Sequence, residues 1–383
     1  MKLLPTRARI CPATLLAVCA LALLTAGVAL AHDWSPEYEA KVGRETLDQI
    51  KHQYKLWDKP DEAKRVQEIL NNLKAVSPRP TVEYQVVLLD TKEVNAMSLP
   101  GGYVCVTRGL SENVQSTDEL AGVLAHEMAH NCAYDALNEA KRTQELTMPV
   151  LAAMIAAMVT GGRAGTAALA EAGVVITQGI LSTYSIQIES RADLNGLIYL
   201  IKCGKYNPVG MLTFMERLAL EERSGPQVTM GIYQTHPLSV DRVTAIADQL
   251  QAAGVTLNRR AVTKWDPPTV VAGKLGEQPV QILSLWGAEV LDFDWAPAGT
   301  DMTQRGAALV KTLTDCLAAG TDGWEFSGTA TADGATIQAR GQEILHLYPE
   351  DAKLRGCTLS ELLAKTLGGL DSAFFTERLK RRY

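Results

Sequence analysis

The chain has 383 residues, of which 47% are hydrophobic and 21% charged, and its formal net charge is -6 at pH 7. The excess of acidic over basic residues argues against nucleic acid as a partner, since nucleic-acid binding depends on clustered positive charge. A chain of this length is typical of two domains rather than one.

The N-terminal segment has the pattern of an export signal. Lys2, Arg7 and Arg9 precede an apolar run over residues 13–30, which ends in the small-x-small triplet Ala29-Leu30-Ala31. This pattern predicts a signal peptide over residues 1–31, cleaved before His32, and a periplasmic mature protein. A retained N-terminal membrane anchor is the alternative. Loss of the three basic residues takes the net charge from -6 to -9.

Two helices and two strands are predicted next. Residues 37–76 read as two helical segments separated by Lys59-Pro60, and the β-branched stretch 81–90 reads as a strand. Pro100, Gly101 and Gly102 then force a turn before a second strand over residues 103–107. We expect an exposed sheet edge at this turn, where an extended peptide can pair as a further strand. A plain hairpin is the alternative reading.

The central motif follows on a predicted helix. Ser116 and Glu119 have the spacing of a capping box, so the helix should begin directly after Ser116. His126 and His130 lie four residues apart and therefore share one helix face, and Glu127 stands beside the first of them. In this H-E-x-x-H arrangement two neutral imidazoles bind Zn2+ and the carboxylate accepts a proton from the attacking water. An ordinary amphipathic helix is the alternative.

Two apolar pieces separate this helix from the next. They cover residues 148–160 and 164–180, and Gly161-Gly162-Arg163 divides them. Each is shorter than the roughly 20 residues that a helix needs to span a bilayer. The pattern favours a buried helical hairpin. Contact of residues 147–181 with a membrane surface or another protein is the alternative.

A catalytic zinc ion of this type needs a third protein ligand. Glu189, 59 residues after His130, is the candidate, at the start of a predicted helix that continues to Cys203. Asp193, one helical turn further on, is expected to hold the second nitrogen of a ligand imidazole. The alternative is a pair of carboxylates on a solvated helix face.

These motifs together resemble the zinc metallopeptidase family of HtpX, the CAAX prenyl endoprotease and the periplasmic BepA-type proteases, of the gluzincin type. The resemblance covers about residues 37–250. It rests on the 126–130 motif, the run 189–193, the segment Leu99-Pro100-Gly101-Gly102, and Thr235-His236-Pro237 followed by Arg242. It implies one zinc ion per chain, bound by His126, His130 and Glu189, with Glu127 as general base. It also implies that His236 and Arg242 lie near the substrate carbonyl.

One position departs from the family pattern. Relatives often have a basic pair just after the second histidine, where this chain has Tyr134-Asp135. We expect the metal site to be unaffected and the contacts of the helix end to differ.

The C-terminal part contains an internal repeat at an offset of 54 residues. Residues 287–291 match 341–345, and residues 309–313 match 363–367 at the same offset. Residues 264–272 are predicted to be a linker, and residues 273–383 an α+β domain made of a duplicated ββα unit on one shared sheet. The predicted fold is thus mostly α with a small β-sheet, a zincin-like or gluzincin-like core, followed by this α+β domain. A Cys316–Cys357 disulfide is possible.

The predicted function is that of an exported zinc metalloendopeptidase that hydrolyses extended or unfolded polypeptides, in quality control of envelope proteins. A chaperone-like or binding protein on the same fold, with low or latent protease activity, is the alternative. Two roles are open for His236, which can donate a hydrogen bond to the developing oxyanion or bind the zinc ion as a fourth ligand at rest. The sequence makes no prediction of the oligomeric state.

Overall fold

The structure is a computed structural model that describes residues 34–143, 184–224, 236 and 240–380. The described residues form two compact units, divided between Leu257 and Asn258. The predicted linker 264–272 therefore lies inside the second unit, and its last residues belong to a strand. The predicted signal peptide 1–31 and the apolar stretch 147–181 lie outside the described residues.

The first unit is mostly helical with one small sheet, as predicted. Its helices are α1 (Pro36–Gln53), α2 (Pro60–Lys74), α3 (Arg108–Asn113), α4 (Thr117–Cys132), α5 (Ile186–Cys203), α6 (Val209–Ser224) and α7 (Val240–Ala252). Its strands are β1 (Gln85–Leu89), β2 (Ala96–Leu99) and β3 (Tyr103–Thr107). A further helical segment covers residues 135–143. No helix among the described residues is both long enough and apolar enough to cross a membrane.

The sheet of the first unit has the strand order β1-β3-β2. The central strand β3 pairs parallel with β1 and antiparallel with β2. Both predicted strands are confirmed, although β1 begins at Gln85, four residues later than predicted. Within the part of the chain that the structure describes, β2 is an end strand of this sheet.

The turn at Pro100–Gly102 is packed against α1 and is not an exposed edge. Pro100 and Gly102 are buried, and the backbone N–H of Gly101 donates to the Glu39 carboxylate of α1 at 3.0 Å. A Cβ at Gly43 of α1 would lie 1.9 Å from the Pro100 carbonyl oxygen, so only a glycine permits this approach. The predicted exposed edge at these glycines is therefore wrong, because α1 covers the turn.

Helix α4 lies at the centre of the first unit. It begins at Thr117, where the Ser116 hydroxyl accepts from the Glu119 N–H at 3.1 Å. Its residues from Glu119 to Asn131 are all buried, and it packs against α2, α5, α6 and β2. Gly196 lets α5 come close, since a Cβ there would lie 2.9 Å from the backbone nitrogen of His126. This close packing brings the acidic residues of α5 beside the histidines of α4.

The second unit has two runs of three antiparallel strands, each followed by helix. The first run is β4 (Thr269–Leu275), β5 (Gln278–Leu285) and β6 (Ala288–Phe293), followed by α8 (Met302–Ala318). The second is β7 (Phe326–Ala330), β8 (Ala335–Ala339) and β9 (Gln342–Leu347), followed by α9 (Pro349–Leu354) and α10 (Leu359–Lys380). The prediction of a ββα unit duplicated on one shared sheet differs from the structure in two ways. Each run has three strands rather than two, and each run forms a sheet of its own.

The cysteines of the described residues are free thiols, and Cys316 and Cys357 are among them. The core of the second unit depends instead on apolar packing, with two ion pairs that join the runs. Arg305 of α8 pairs with the buried Asp351 of α9 at 2.6 Å, and Arg355 pairs with Asp292 of β6.

Candidate metal centre

Four buried side chains converge in the first unit. They are His126 and His130 of α4, Glu189 of α5, and His236, and one ligand atom from each lies within 4.8 Å of all the others. The two Nε2 atoms of His126 and His130 are 3.0 Å apart, as expected for imidazoles one helical turn apart. Nδ1 of His236 lies 3.0 Å from a carboxylate oxygen of Glu189 and 3.3 Å from Nε2 of His126. The structure therefore brings together the three predicted ligands and adds a fourth.

Carboxylates hold the outer nitrogens of both α4 histidines. Nδ1 of His126 is 2.8 Å from Asp193, which is the partner predicted for it. Nδ1 of His130 is 2.8 Å from Asp135. Each carboxylate accepts a hydrogen bond from the Nδ1–H of its histidine, so each Nε2 presents a lone pair to the centre of the cluster. Two lone pairs 3.0 Å apart repel each other unless a cation lies between them.

Asp135 is a functional residue that the sequence reasoning did not assign. Tyr134 adopts a positive φ of 56°, which ends α4 and turns the chain so that Asp135 faces back toward His130. The guanidinium of Arg191 on α5 pairs with the same carboxylate. An acidic residue five positions after a ligand histidine is a usable signal, since such histidines commonly have a carboxylate partner.

Arg242 of α7 lies on the carboxylates of the site. Its guanidinium binds Asp193 through two nitrogens, at 2.7 and 2.8 Å, and lies 2.9 Å from Glu189. It is buried, so these ion pairs are shielded from water. The family resemblance implied that Arg242 lies near the substrate carbonyl, and that role stays a prediction. Its guanidinium contacts Asp193, which orients His126, and Glu189 of the cluster.

The site favours positive charge between its carboxylates. Burial lowers the pKa of His126, but hydrogen bonds to Asp193 and Glu189 outweigh this and raise that pKa to about 10. Burial likewise opposes the charged form of Glu189, yet its contacts with His126, His130 and His236 hold its pKa below the usual range. The carboxylates that stabilise a proton on these histidines would also stabilise a metal cation bound to them.

The donor set fits a zinc ion. The site contains four carboxylates and two guanidiniums, so the charged side chains leave an excess of two negative charges. The carboxylates are those of Glu127, Asp135, Glu189 and Asp193, and the guanidiniums are those of Arg191 and Arg242. A divalent cation therefore brings the site to neutrality while the imidazoles remain uncharged. Imidazole nitrogens with one carboxylate are a ligand set that Zn2+ prefers.

Glu127 stands beside the cluster with an unused oxygen. The side chain is buried, and its Oε1 has no hydrogen-bond partner among the described residues. That oxygen lies 3.4 Å from Nε2 of His236. A buried carboxylate oxygen that accepts no hydrogen bond is available to accept a proton from a substrate or a water molecule.

Tyr184 closes the site on the side of His130. Its ring stacks on the His130 imidazole with centroids 4.4 Å apart and an angle of 17°. Burial, together with the charge of Asp135 and the other carboxylates, raises its pKa well above the usual value, so the phenol stays neutral. Nothing in the sequence near Tyr184 marks it as a site residue, since it stands 54 residues from His130.

Among the described residues, two cavities reach the cluster. The larger is about 440 Å³, including its open part, and it reaches His126, Glu127, Asp193 and His236. The smaller, about 200 Å³, lies between the end of β2 and the end of α4 and reaches His130.

A mostly helical unit with this buried cluster and adjacent carboxylate defines a metal-dependent hydrolase. The pattern of Peptidase family M48 matches residues 60–250, which include every residue of the cluster. This part of the chain belongs to that family, a family of zinc metallopeptidases, and the resemblance found in the sequence is confirmed. The chain matches no curated protein. The second unit lies beyond the family match.

Proposed function

We propose that the protein is an exported zinc-dependent endopeptidase that cleaves extended or unfolded polypeptides. The observation that carries this proposal is the buried cluster of three imidazoles and Glu189, with Glu127 beside it, whose Oε1 accepts no hydrogen bond from the described residues. A protein that only binds polypeptides does not need the Glu127 carboxylate in this position, whereas a hydrolase needs it to accept a proton from water.

His126, His130 and Glu189 are the residues that would hold the zinc ion. When bound, zinc acts as a Lewis acid that polarises the scissile carbonyl and makes water acidic enough to attack at neutral pH. Glu127 accepts the proton from that water and returns it to the leaving amine. Asp135 and Asp193 keep the α4 imidazoles oriented, and Arg242 keeps Asp193 and Glu189 in place.

For His236 we propose the role of a fourth ligand at rest. Its Nδ1 lies within the cluster, while its Nε2 faces Glu127. In this arrangement the imidazole would take the position that an attacking water needs, and its Nε2 lies 3.4 Å from Oε1 of Glu127. The geometry therefore favours the resting-ligand role over the oxyanion-donor role. Substrate binding would then have to displace His236.

An extended substrate has a suitable strand to pair with. β2 ends beside α4, and its Leu99 carbonyl accepts from the Asn131 side chain at 3.0 Å. In an antiparallel pair every second residue directs its N–H and C=O away from the partner strand. The Leu99 carbonyl is already bound by Asn131, so the proposed pairing with a substrate backbone uses the part of β2 before Leu99. Backbone pairing needs an extended chain, which favours unfolded polypeptides over folded ones.

Export is proposed from the sequence pattern of residues 1–31. Cleavage before His32 and accumulation in the periplasm would place the enzyme among unfolded envelope proteins, which fits a role in their quality control. N-terminal sequencing of the protein recovered from a periplasmic extract tests this point. A mature N-terminus at His32 is the expected result, and an intact Met1 in a membrane fraction would contradict it.

The main test compares the mature protein with Glu127→Gln on an unfolded protein such as casein. We expect about one zinc ion per chain in both, and cleavage by the wild type that falls by about 10²- to 10⁴-fold in the variant. Glu112→Gln, on the exposed side chain of α3, is the matched control and should behave as wild type. Zinc binding without cleavage, together with suppression of aggregation, would support the chaperone-like alternative.

His236→Ala distinguishes the two roles of the third histidine. A resting ligand predicts retained zinc and faster cleavage of short peptides, because the imidazole no longer has to be displaced. An oxyanion donor predicts retained zinc and a kcat lower by about 10²- to 10³-fold. Unchanged activity would exclude both roles.

A further inference from the structure

We infer that Arg79 is a positioning residue for the metal site. It fixes the turn at the end of α4, and this turn brings the Asp135 carboxylate to Nδ1 of His130. This role rests on the proposed zinc site and is independent of peptide cleavage. Arg79 lies outside the four-residue cluster, so its effect on zinc binding passes through the turn.

The turn after α4 makes the contact between Asp135 and His130 possible. If the helix continued, residues five positions apart would lie about 140° apart around its axis, and Asp135 would not face His130. Tyr134 instead has a positive φ of 56°, and its N–H donates to the Asn131 carbonyl at 3.1 Å. A tyrosine rarely adopts this conformation, so the surrounding residues have to stabilise it.

Arg79 binds both residues that close this turn. One guanidinium nitrogen donates to the Asn131 carbonyl at 2.9 Å, and the guanidinium carbon lies 4.2 Å from the centre of the Tyr134 ring. Carbonyls in the last turn of a helix lack their regular partner four residues further on, and a cation is favourable there. One planar side chain thus binds the helix end and stacks on the residue with the unfavourable φ.

Arg79 is itself held in place by its chain neighbours and by α1. It stands between Pro78 and Pro80, which restrict the backbone on both sides. The Glu39 carboxylate of α1 accepts from two guanidinium nitrogens, at 2.6 and 3.0 Å. The Arg79 side chain is only 16% exposed, so water competes little with this pair. Two parallel hydrogen bonds of this kind fix both the position and the orientation of the guanidinium.

The experiment compares the zinc affinity of wild type and Arg79→Met, as folded and metal-free proteins, by competition with a coloured chelator. Methionine keeps an unbranched stem but removes the charge and the hydrogen-bond donors. We expect Arg79→Met to bind zinc about three- to tenfold more weakly, a smaller loss than removal of the Asp135 carboxylate, because Arg79 acts only through the turn. An affinity within about twofold of wild type would overturn the assigned role. A wild type that binds no zinc would overturn the proposed function as well.

Arg217→Met is the matched control, with circular dichroism to check that each variant is folded. Arg217 of α6 binds the Glu119 carboxylate of α4 through two guanidinium nitrogens, at 2.8 and 3.1 Å, and is 17% exposed. This variant therefore loses a comparable ion pair on the same helix, but at the end away from His130. Its zinc affinity should stay within about twofold of wild type. Equal losses in the two variants would show that destabilisation alone weakens zinc binding, which would overturn the role of Arg79.

Two further variants test the route. Arg79→Lys keeps the charge but not the planar fork, so it should lose less zinc affinity than Arg79→Met but still more than about twofold. If Arg79→Met does not fold, wild-type affinity in Arg79→Lys overturns the role. In Asp135→Asn, the added change Arg79→Met should lower the affinity by less than about twofold, because both changes act on the same contact with His130. A full additional loss there would show a different route and would overturn the one assigned.

Discussion

Replacing Asp135 by asparagine should weaken zinc binding although Asp135 is not itself a ligand. The carboxylate lies 2.8 Å from Nδ1 of His130 and also pairs with Arg191. Asparagine keeps nearly the same shape but removes the negative charge. It also permits a flipped amide that would present a donor to Nδ1 and favour the wrong tautomer of His130.

The magnitude follows from the kind of hydrogen bond that is lost. Partners of this type typically change metal affinity by about 10- to 100-fold, which corresponds to about 1.4–2.8 kcal/mol. Asp135 is buried, so water cannot replace it fully at His130. Arg191→Ala should have a smaller effect, below about tenfold, because that side chain is 46% exposed and acts on His130 only through Asp135.

The assay is a competition for zinc between the folded protein and a coloured chelator at fixed pH, with circular dichroism as a check of folding. Asp90→Asn is the matched control, because Asp90 has an ion pair with Arg108 at 2.8 Å that is away from the cluster. A zinc affinity of Asp135→Asn within about twofold of the wild type would refute the argument. An equal loss in Asp90→Asn would attribute the effect to general destabilisation.

Three further changes have defined expectations. Glu189→Gln should lose most of the bound zinc and the activity, because an amide is a poorer ligand than a carboxylate. Asp193→Asn should lower zinc affinity by about 10- to 100-fold. Full zinc content and full activity in Glu189→Gln would show that Glu189 is not a zinc ligand. Gly43→Ala should lower the melting temperature by several degrees, since its Cβ would overlap the Pro100 carbonyl and overpacking typically costs about 1–3 kcal/mol. Gly368→Ala is its control, as a helical position with nothing within 4 Å, and should be neutral or stabilising by up to about 1 kcal/mol in thermal unfolding. Arg305→Met should destabilise the second unit by about 3–5 kcal/mol in denaturant unfolding, because it leaves the buried Asp351 uncompensated; unchanged stability would show that the pair contributes little.

Local sequence determined the parts of the site that depend on helical periodicity. The spacing of His126 and His130 places both imidazoles on one face of α4, and Ser116 marks where that helix begins. The same periodicity relates Glu189 to Asp193 on α5, so one can enter the cluster while the other holds His126. These relations hold between residues of one element, so a sequence is sufficient to predict them.

Tertiary packing decided the rest, because those contacts join elements that are distant in the chain. Arg242 binds Asp193 and Glu189 only because α7 packs on α5, and His236 enters the cluster from 106 residues beyond His130. The role of Asp135 depends on the left-handed backbone of Tyr134, which a residue of that type rarely adopts. The Gly101–Gly102 turn is buried because α1 covers it, and the strands of the second unit divide into two sheets. Periodicity specifies which face of an element is apolar, but the neighbour that covers this face is chosen by the packing of the whole unit.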